Sequence, residues 1–169
     1  QLSDHCRPVF LAISKYFGAE INSLHGALFS GLKILLLCRI PMEGERILII
    51  GDIHGCLDML NRLMDRIQWR PDRDRLIFVG DYVDRGTDSK GVVDYVLALR
   101  KCSSRVDCLI GNHEAMLLDY LDGKNQASFL LNGGWPTLVS YGVDKKNADP
   151  SPMIPPDHLA FYRSLKPYV

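Results

Sequence analysis

Three glycine-bounded segments, each directly after an apolar run, recur along this chain at regular intervals. They read GDIHG at 51–55, GDYVDRG at 80–86 and GNHE at 111–114. Their spacing of roughly thirty residues is the length of one β-α repeat. We therefore predict that each apolar run is a strand and that each motif is the loop leaving its carboxyl end.

The stretches around the motifs fit alternating strands and helices. Apolar positions recur at helical spacing from Leu57 to Ile67, from Val92 to Leu99 and from Glu114 to Tyr120. Continuous apolar runs predict strands at 46–50, 76–79 and 106–110. A β-α-β-α-β-α order implies an α/β fold with parallel strands and right-handed crossovers. Ligands bind beyond the carboxyl ends of such strands, so we expect the three motifs to meet there.

The chain becomes less regular after Gly123. The letters ASFLLNGGWPTLVSYG predict a short helix, a Gly-Gly turn and a second amphipathic stretch, and the proline-rich segment that follows predicts a loop. A last helix is predicted from Asp157, which we interpret as its N-cap. His158, beside that cap, is predicted to lie at the surface rather than to bind a metal.

Residues 1–41 stand apart from the repeating pattern. The stretch at 27–40 is apolar but contains Lys33, and it is shorter than the about 20 residues that a membrane-spanning helix needs. It therefore predicts a buried helix or strand. A natural start at Met42 is an alternative, because MEGERILII leads directly into the first predicted strand. We divide the chain into an extension at 1–41, either native or translated upstream sequence, and a domain at 42–169.

Charge and cysteine content argue against several classes of protein. Twenty basic and twenty acidic side chains cancel, whereas a general nucleic-acid binder carries a basic face. The five cysteines include no C-x-x-C pair, which argues against a zinc ribbon or a disulfide framework. Free thiols suit a reducing compartment, so we predict a cytoplasmic protein without a membrane anchor. The composition does not indicate an oligomeric state.

Four side chains in the motifs are candidate metal ligands: Asp52, His54, Asp81 and Asn112. Residues two apart in extended backbone face the same way, so Asp52 and His54 can face one ion. Asp81 also follows a strand and a glycine, and it can reach the same ion or bridge to a second. Asn112 would add a neutral oxygen that leaves positive charge for an anionic substrate. This mixture of ligands favours Mn, Fe or Zn over Ca or Mg alone.

Three further side chains suit phosphate chemistry. Arg85 offers a planar fork of donors that matches phosphate oxygens. His113 carries an imidazole whose ordinary pKa is near neutral, so it can act as a general acid toward a leaving alkoxide. Asp84 can orient a neighbouring cation or imidazole.

Each motif alone also has a purely structural explanation. Asp52 could cap the following helix, Asp84 and Arg85 could form a surface pair, and Asn112 could occupy a turn. Three such loops with His and Arg between the carboxylates are hard to explain as unrelated turns. Together they predict two divalent ions about 3.5–4 Å apart that share Asp81, clamp a phosphoryl group and activate a bridging water.

GDIHG, GDYVDRG and GNHE resemble, without a mismatch, the three N-terminal motifs of the calcineurin-like metallophosphoesterases. The resemblance is strongest to the bacterial branch of the phosphoprotein (serine/threonine) phosphatases, and it covers residues 45–169. It implies an α/β/β/α sandwich, represented here by its N-terminal β-α-β-α-β-α half. It also implies a centre of two divalent metal ions, with Mn the first choice and Fe, Zn or Ni the alternatives.

The resemblance also assigns roles to individual residues. Asp52 and His54 would bind the first metal, Asp81 would bridge both metals and Asn112 would bind the second. His113 would be the general acid, oriented by Asp84, while Arg85 together with Asn112 would hold the phosphate.

The implied reaction is hydrolysis of phosphate monoesters by a metal-bound hydroxide. The substrate would be phosphoserine or phosphothreonine in proteins, or a small phosphoester. A sister group, the symmetrical diadenosine tetraphosphatases, typically has GDLVARG and GNHD, so Asp84 and Glu114 favour the protein phosphatases. The family has further histidine ligands and a second phosphate-binding arginine beyond this region. The chain therefore resembles an N-terminal fragment, and a product that binds metal or phosphate without turnover is the third alternative.

Overall fold

One four-stranded sheet organises the part of the chain that the structure describes. The computed structural model describes residues 36–42, 45–144 and 153–168. The strands are β1 (Leu36–Met42), β2 (Glu45–Ile50), β3 (Asp74–Phe78) and β4 (Val106–Cys108), in the order β1-β2-β3-β4. β2, β3 and β4 are parallel, which confirms the predicted repeat, with ends that differ from the prediction by one or two residues.

The edge strand β1 precedes the predicted parallel repeat and does not belong to it. It runs antiparallel to β2, with Ile40 opposite Ile47. Part of the apolar stretch predicted as a buried helix or strand is therefore a strand, and the predicted division between residues 41 and 42 falls within it. The division itself stays a prediction, because residues 1–35 lie outside the described residues. Most of the predicted proline-rich loop, at 145–152, also lies outside them.

Helices follow each parallel strand, as the periodicity predicts. They are α1 (Leu57–Ile67), α2 (Ser89–Cys102), α3 (Asn112–Leu121), α4 (Gln126–Phe129), α5 (Trp135–Ser140) and α6 (Pro156–Ser164). The segment Leu130–Gly134 joins α4 to α5 through a kink at Gly133, whose φ is +92°, where a Gly-Gly turn was predicted. Within the described ranges, no helix is both long enough and apolar enough to cross a bilayer.

Local capping explains where the helices begin. Asp88 caps α2 because its side chain accepts a hydrogen bond from the Gly91 N–H at 2.8 Å. The predicted cap of α6 is wrong: Pro155 occupies the N-cap, and Asp157 lies inside the first turn. Proline suits this end of a helix because the first N–H groups have no partner within the helix.

The sheet is buried on both faces, as parallel sheets usually are. Leu48, Ile50, Leu76 and Phe78 belong to the main apolar core and expose 2 % or less of their surface. Ile49, which points to the other side of β2, is buried as well. This burial fixes the strand register, and the register brings the three loops to one edge of the sheet.

The edge of the sheet beyond β4 makes a further contact. Leu109 forms an isolated parallel bridge with Lys166, and the Ile110 N–H donates to the Lys166 carbonyl at 2.9 Å. The second sheet of the expected four-layer sandwich is not among the described residues.

Candidate functional site

The first two loops are joined at the carboxyl edge of the sheet by backbone hydrogen bonds. The N–H groups of Ile53 and His54 both donate to the Asp81 carbonyl at 2.9 Å. The Gly55 N–H donates to the Tyr82 carbonyl at 2.8 Å. The loop after β2 therefore rests directly on the loop after β3.

Glycines allow the second and third loops to touch. Gly80 has a φ of +107°, a conformation that disfavours side chains. A Cβ atom at Gly80 would collide with the Gly111 backbone, and one at Gly111 would collide with the Asp81 carboxylate. The motif glycines are needed because backbone here approaches both backbone and a candidate ligand.

Glu114 ties the third loop to the second, a role that the sequence analysis missed. Its fully buried carboxylate accepts hydrogen bonds from the N–H groups of Asp81 at 2.8 Å, Tyr82 at 2.8 Å and Gly111 at 2.9 Å. Burial and the nearby Asp81 carboxylate raise the pKa of Glu114 to about 7, while these N–H groups act in the opposite direction. Glu114 lies three residues after Gly111, the N-cap of α3, which is the acidic position of a capping box. Gly111 has no side chain, so only the Glu114 half of that box forms.

Several site residues have left-handed backbone. The φ angles are +47° for His54, +56° for Asp81, +72° for Asp84 and +65° for Arg85. Such conformations are costly for residues other than glycine and are concentrated at functional sites. The predicted extended backbone around His54 is therefore wrong. Asp52 and His54 nevertheless lie together, with 3.8 Å between Oδ2 and Nε2.

The two motif histidines are held so that their Nε2 atoms face a common space. The Nδ1 of His54 lies 2.8 Å from the Val83 carbonyl, and the Nδ1 of His113 lies 2.7 Å from Asp84 Oδ2. Carbonyls and carboxylates accept hydrogen bonds, so both Nδ1 atoms carry the hydrogen and both Nε2 atoms keep a lone pair. The rings meet edge to face with centroids 4.6 Å apart.

The exposed side chain of Arg85 spans these two nitrogens. Its Nη1 donates to His54 Nε2 at 2.9 Å, and its Nη2 donates to His113 Nε2 at 3.0 Å. A guanidinium only donates, so both contacts agree with the assigned tautomers. Burial, together with the charge of Arg85 and the neighbouring His113, lowers the pKa of His54 below its usual range.

The donor set suits a divalent cation. One ligand atom from each of His54, Asp81 and His113 lies within 4.8 Å of the others. Asp52 flanks His54 with a half-exposed carboxylate, and Asn112 starts α3 as an exposed residue next to His113. Imidazole nitrogen with carboxylate oxygen is a ligand set typical of transition metals. His113, which the sequence analysis assigned to acid catalysis, lies directly beside the candidate ligands His54 and Asp81.

Asp84 is buried behind His113 and contacts residues that no motif contains. Thr137 Oγ1 lies 2.7 Å from Asp84 Oδ1, and Ser89 Oγ lies 2.9 Å from Thr137 Oγ1. The Asp84 side chain is entirely shielded from solvent. The structure thus brings Asp52, His54, Asp81, Asp84, Arg85 and His113 to one place, with Asn112 at its margin.

A second histidine network lies away from this site, and it corrects the prediction for His158. That residue is 1 % exposed rather than at the surface. Its Nε2 lies 2.9 Å from Asp94 Oδ1, and its Nδ1 lies 2.8 Å from the Tyr141 hydroxyl. The Tyr141 hydroxyl in turn lies 2.8 Å from that of Tyr162. We call these four residues the helix network, because they join α2 and α6 to the residue after α5.

Comparisons with known proteins agree with this geometry. A family model described as calcineurin-like phosphoesterase matches residues 45–156 of the 169. A protein from Salmonella typhimurium named serine/threonine-protein phosphatase 1 is 40% identical over 93 residues, which are 54% of this chain and 41% of that protein. A symmetrical bis(5'-nucleosyl)-tetraphosphatase from Erwinia tasmaniensis is 46% identical over 70 residues, which are 41% of this chain and 24% of that protein.

The solved structures give a similar result. A crystal structure assigned to a candidate diadenosine tetraphosphatase superposes with a TM-score of 0.51 and 28% sequence identity. The match covers 75% of this chain and 45% of that chain. The chain therefore spans less than half the length of each of these relatives.

Proposed function

The chain belongs to the calcineurin-like phosphoesterase family, and from this premise we propose that its three loops hydrolyse phosphate esters with the help of divalent cations. One observation carries the proposal. Two histidines present their Nε2 atoms to the same guanidinium, beside the Asp81 carboxylate. In this arrangement the imidazole nitrogens and the carboxylate can bind a cation, while the guanidinium can bind an anionic oxygen of the phosphate.

The chain's own residues divide into two groups. Asp52, His54, Asp81 and Asn112 would hold the cations, which supply Lewis acidity and an activated water when bound. Mn is the first choice, with Fe, Zn or Ni as alternatives, because the donors combine carboxylate, imidazole and amide groups. We propose a cytoplasmic location on the same grounds as in the sequence analysis.

The remaining residues act on the substrate. Arg85 is exposed and presents two N–H groups in one plane, so it can bind two oxygens of a phosphoryl group. His113 would carry a proton on Nε2 to the leaving oxygen, since Asp84 occupies its Nδ1. The buried Asp84 carboxylate fixes the orientation of the ring.

The preferred substrate is a phosphoserine or phosphothreonine ester in a protein. The presence of Asp84 and Glu114 in their motifs supports this choice, as does similarity to a protein named serine/threonine phosphatase. A symmetrical dinucleoside tetraphosphate is the second candidate, because relatives with that activity in their names match at comparable identity. Hydrolysis of the first substrate breaks a phosphate monoester and releases orthophosphate, whereas symmetrical hydrolysis of the second breaks its central phosphoanhydride and gives two nucleoside diphosphates.

Hydrolysis of both substrates by the complete gene product, with Mn²⁺ present, tests the two candidates. It is measured as orthophosphate release from a phosphoserine peptide and as formation of two molecules of adenosine diphosphate from diadenosine tetraphosphate. We expect turnover of a phosphoserine peptide to exceed that of diadenosine tetraphosphate at least about tenfold, and the reverse ratio would favour the second candidate. Asp81→Asn should abolish turnover of both substrates, whereas Asp119→Asn, at an exposed position of α3, should not change it. Metal binding without hydrolysis of either substrate would contradict the proposal and favour a binding-only product.

A further inference from the structure

The carboxylate of Asp84 is held on one side by an imidazole and on the other by a buried hydroxyl. Asp84, Ser89 and Thr137 are each 0 % exposed. One carboxylate oxygen of Asp84, Oδ2, contacts His113 Nδ1 at 2.7 Å. The other, Oδ1, lies 2.7 Å from Thr137 Oγ1. The orientation of the carboxylate is therefore set jointly by an imidazole and by a threonine.

The direction of each hydrogen bond follows from what the groups can donate. The Asp84 N–H donates to Thr137 Oγ1 at 2.8 Å and to Ser89 Oγ at 3.2 Å. The carboxylate only accepts, so the Thr137 hydroxyl hydrogen goes to Asp84 Oδ1. The Ser89 hydroxyl is then left to donate to Thr137 Oγ1 at 2.9 Å. Thr137 thus binds both the backbone and the side chain of one residue.

That residue needs to be held. Asp84 has a φ of +72°, which a residue with a side chain adopts only when its surroundings enforce it. The segment that carries Thr137 also holds the next residue, because the Arg85 N–H donates to the Gly133 carbonyl at 3.0 Å. Residues 133–137 therefore support both functional side chains of the second loop.

We propose that Thr137 is a positioning residue for the Asp84–His113 pair, and that proton delivery from His113 depends on its hydroxyl. The inference rests on the proposed function. Thr137 touches neither the substrate nor His113, and it acts by fixing which oxygen of Asp84 faces the imidazole. Loss of the hydroxyl would let the carboxylate rotate and the imidazole sample its other tautomer.

A pair of substrates that differ in leaving group separates this role from a merely structural one. Phenyl phosphate needs proton donation to its leaving oxygen more than 4-nitrophenyl phosphate does, and the two are alike in size. We expect Thr137→Val to lower kcat about tenfold to a hundredfold for phenyl phosphate but less than about threefold for 4-nitrophenyl phosphate, with KM nearly unchanged. Thr137→Ser, which keeps the hydroxyl, should restore phenyl phosphate turnover.

Two controls keep the outcome interpretable. Ser140→Ala removes another hydroxyl of α5, one that binds the Thr137 carbonyl and the Lys90 N–H but does not touch Asp84. It should lower stability without changing the ratio of the two rates. If Thr137→Val fails to fold, Ser89→Ala removes the donor to Thr137 and should change the ratio in the same direction by a smaller factor.

A readout without turnover distinguishes failure of this inference from failure of the proposed function. In protein labelled with ¹⁵N at histidine, we expect the His113 ring to be the Nδ1–H tautomer, with His113→Asn used for assignment. Thr137→Val should give a mixture of tautomers at the same pH. A wild-type protein that releases no phosphate would overturn the proposed function only. An equal loss for both substrates, no loss for either, or an unchanged tautomer would overturn the role of Thr137.

Discussion

Two regions of this molecule contain nearly the same types of side chain, namely a histidine, an aspartate and a hydroxyl. In the site, His113 pairs with Asp84, which pairs with the hydroxyl of Thr137. In the helix network, His158 pairs with Asp94 and with the hydroxyl of Tyr141. Both rings are buried, with 2 % and 1 % of their surface exposed, so burial does not distinguish them.

The difference lies in the second ring nitrogen. His113 gives one nitrogen to Asp84 and turns the other toward Arg85 at the carboxyl edge of the sheet. His158 has both nitrogens engaged by Asp94 and Tyr141. A buried Asp–His pair therefore has a structural role when both ring nitrogens are hydrogen-bonded within the protein. It is a candidate proton donor when one ring nitrogen faces a space that substrate can reach.

The largest expected effect comes from replacing each histidine by the same residue. His113→Asn should lower phosphate release about a hundredfold or more, because the proton donor is lost. His158→Asn should leave turnover within about threefold but lower the free energy of unfolding by about 1–3 kcal/mol, since buried partners are left unpaired. Initial rates and urea denaturation measure the two quantities. Equal losses of turnover in both variants would remove the distinction between the two regions.

The carboxylates make a second matched pair with a smaller effect. Asp84→Asn should lower turnover about tenfold to a hundredfold, because an amide can donate to His113 Nδ1 and favour the other tautomer. Asp94→Asn should leave turnover nearly unchanged, because it lies outside the site and its side chain is half-exposed. Steady-state rates with one phosphomonoester under identical Mn²⁺ are sufficient. A larger loss in Asp94→Asn would contradict the comparison.

The sequence predicted the candidate site better than it predicted the helix network, for a physical reason. Apolar strand runs and motif glycines are local signals, and the binding of ligands at the carboxyl ends of parallel strands is a general rule. Together they were enough to predict that Asp52, Asp81 and His113 lie close to one another. The partners of His158 lie on α2 and directly after α5, and Asp94 is 64 residues away along the chain. A lone histidine carries no pattern that reveals such a partner, so its burial depends on tertiary packing.

The same limit applied inside the site. Thr137 lies 53 residues from Asp84, outside every motif, and the left-handed backbone of His54 has no signature in a D-x-H pattern. Glu114 did carry a local signal, an acidic residue three positions after the N-cap Gly111, but its contacts with the second loop depend on the fold. Local patterns thus identified the candidate ligands, whereas the residues that hold them in place needed the structure.

Removal of one hydroxyl from the helix network tests whether that network has a purely structural role. Tyr162→Phe should lower the free energy of unfolding by about 1 kcal/mol, because the buried Tyr141 hydroxyl loses the hydroxyl of Tyr162 as a hydrogen-bond partner. Turnover should not change. Tyr168→Phe is the matched control, since that side chain is 77% exposed and its replacement should have no measurable effect on stability. A loss of turnover in Tyr162→Phe would show that the helix network reaches the site.

The smallest expected effect is on the stability of the fold at acidic pH. Burial acts to raise the pKa of Asp94, but hydrogen bonds from Lys90 and His158 overcome it and hold the pKa below the usual range. The ionised carboxylate therefore stabilises the fold above its unfolded pKa, and this stabilisation is lost as pH falls through the lowered pKa. The stability difference between wild type and Asp94→Asn should shrink below about pH 4. A difference that stays constant between pH 7 and pH 3 would contradict this role.

The most direct test of the account is a calorimetric titration of Mn²⁺ into the metal-stripped gene product. The central claim is that the three loops, and not the helix network, form a cation site. Asp81→Asn should weaken Mn²⁺ binding at least about tenfold. Asp94→Asn, the same chemical change in the helix network, should bind as the wild type does. Equal binding by all three proteins, or weakening in Asp94→Asn alone, would contradict the claim.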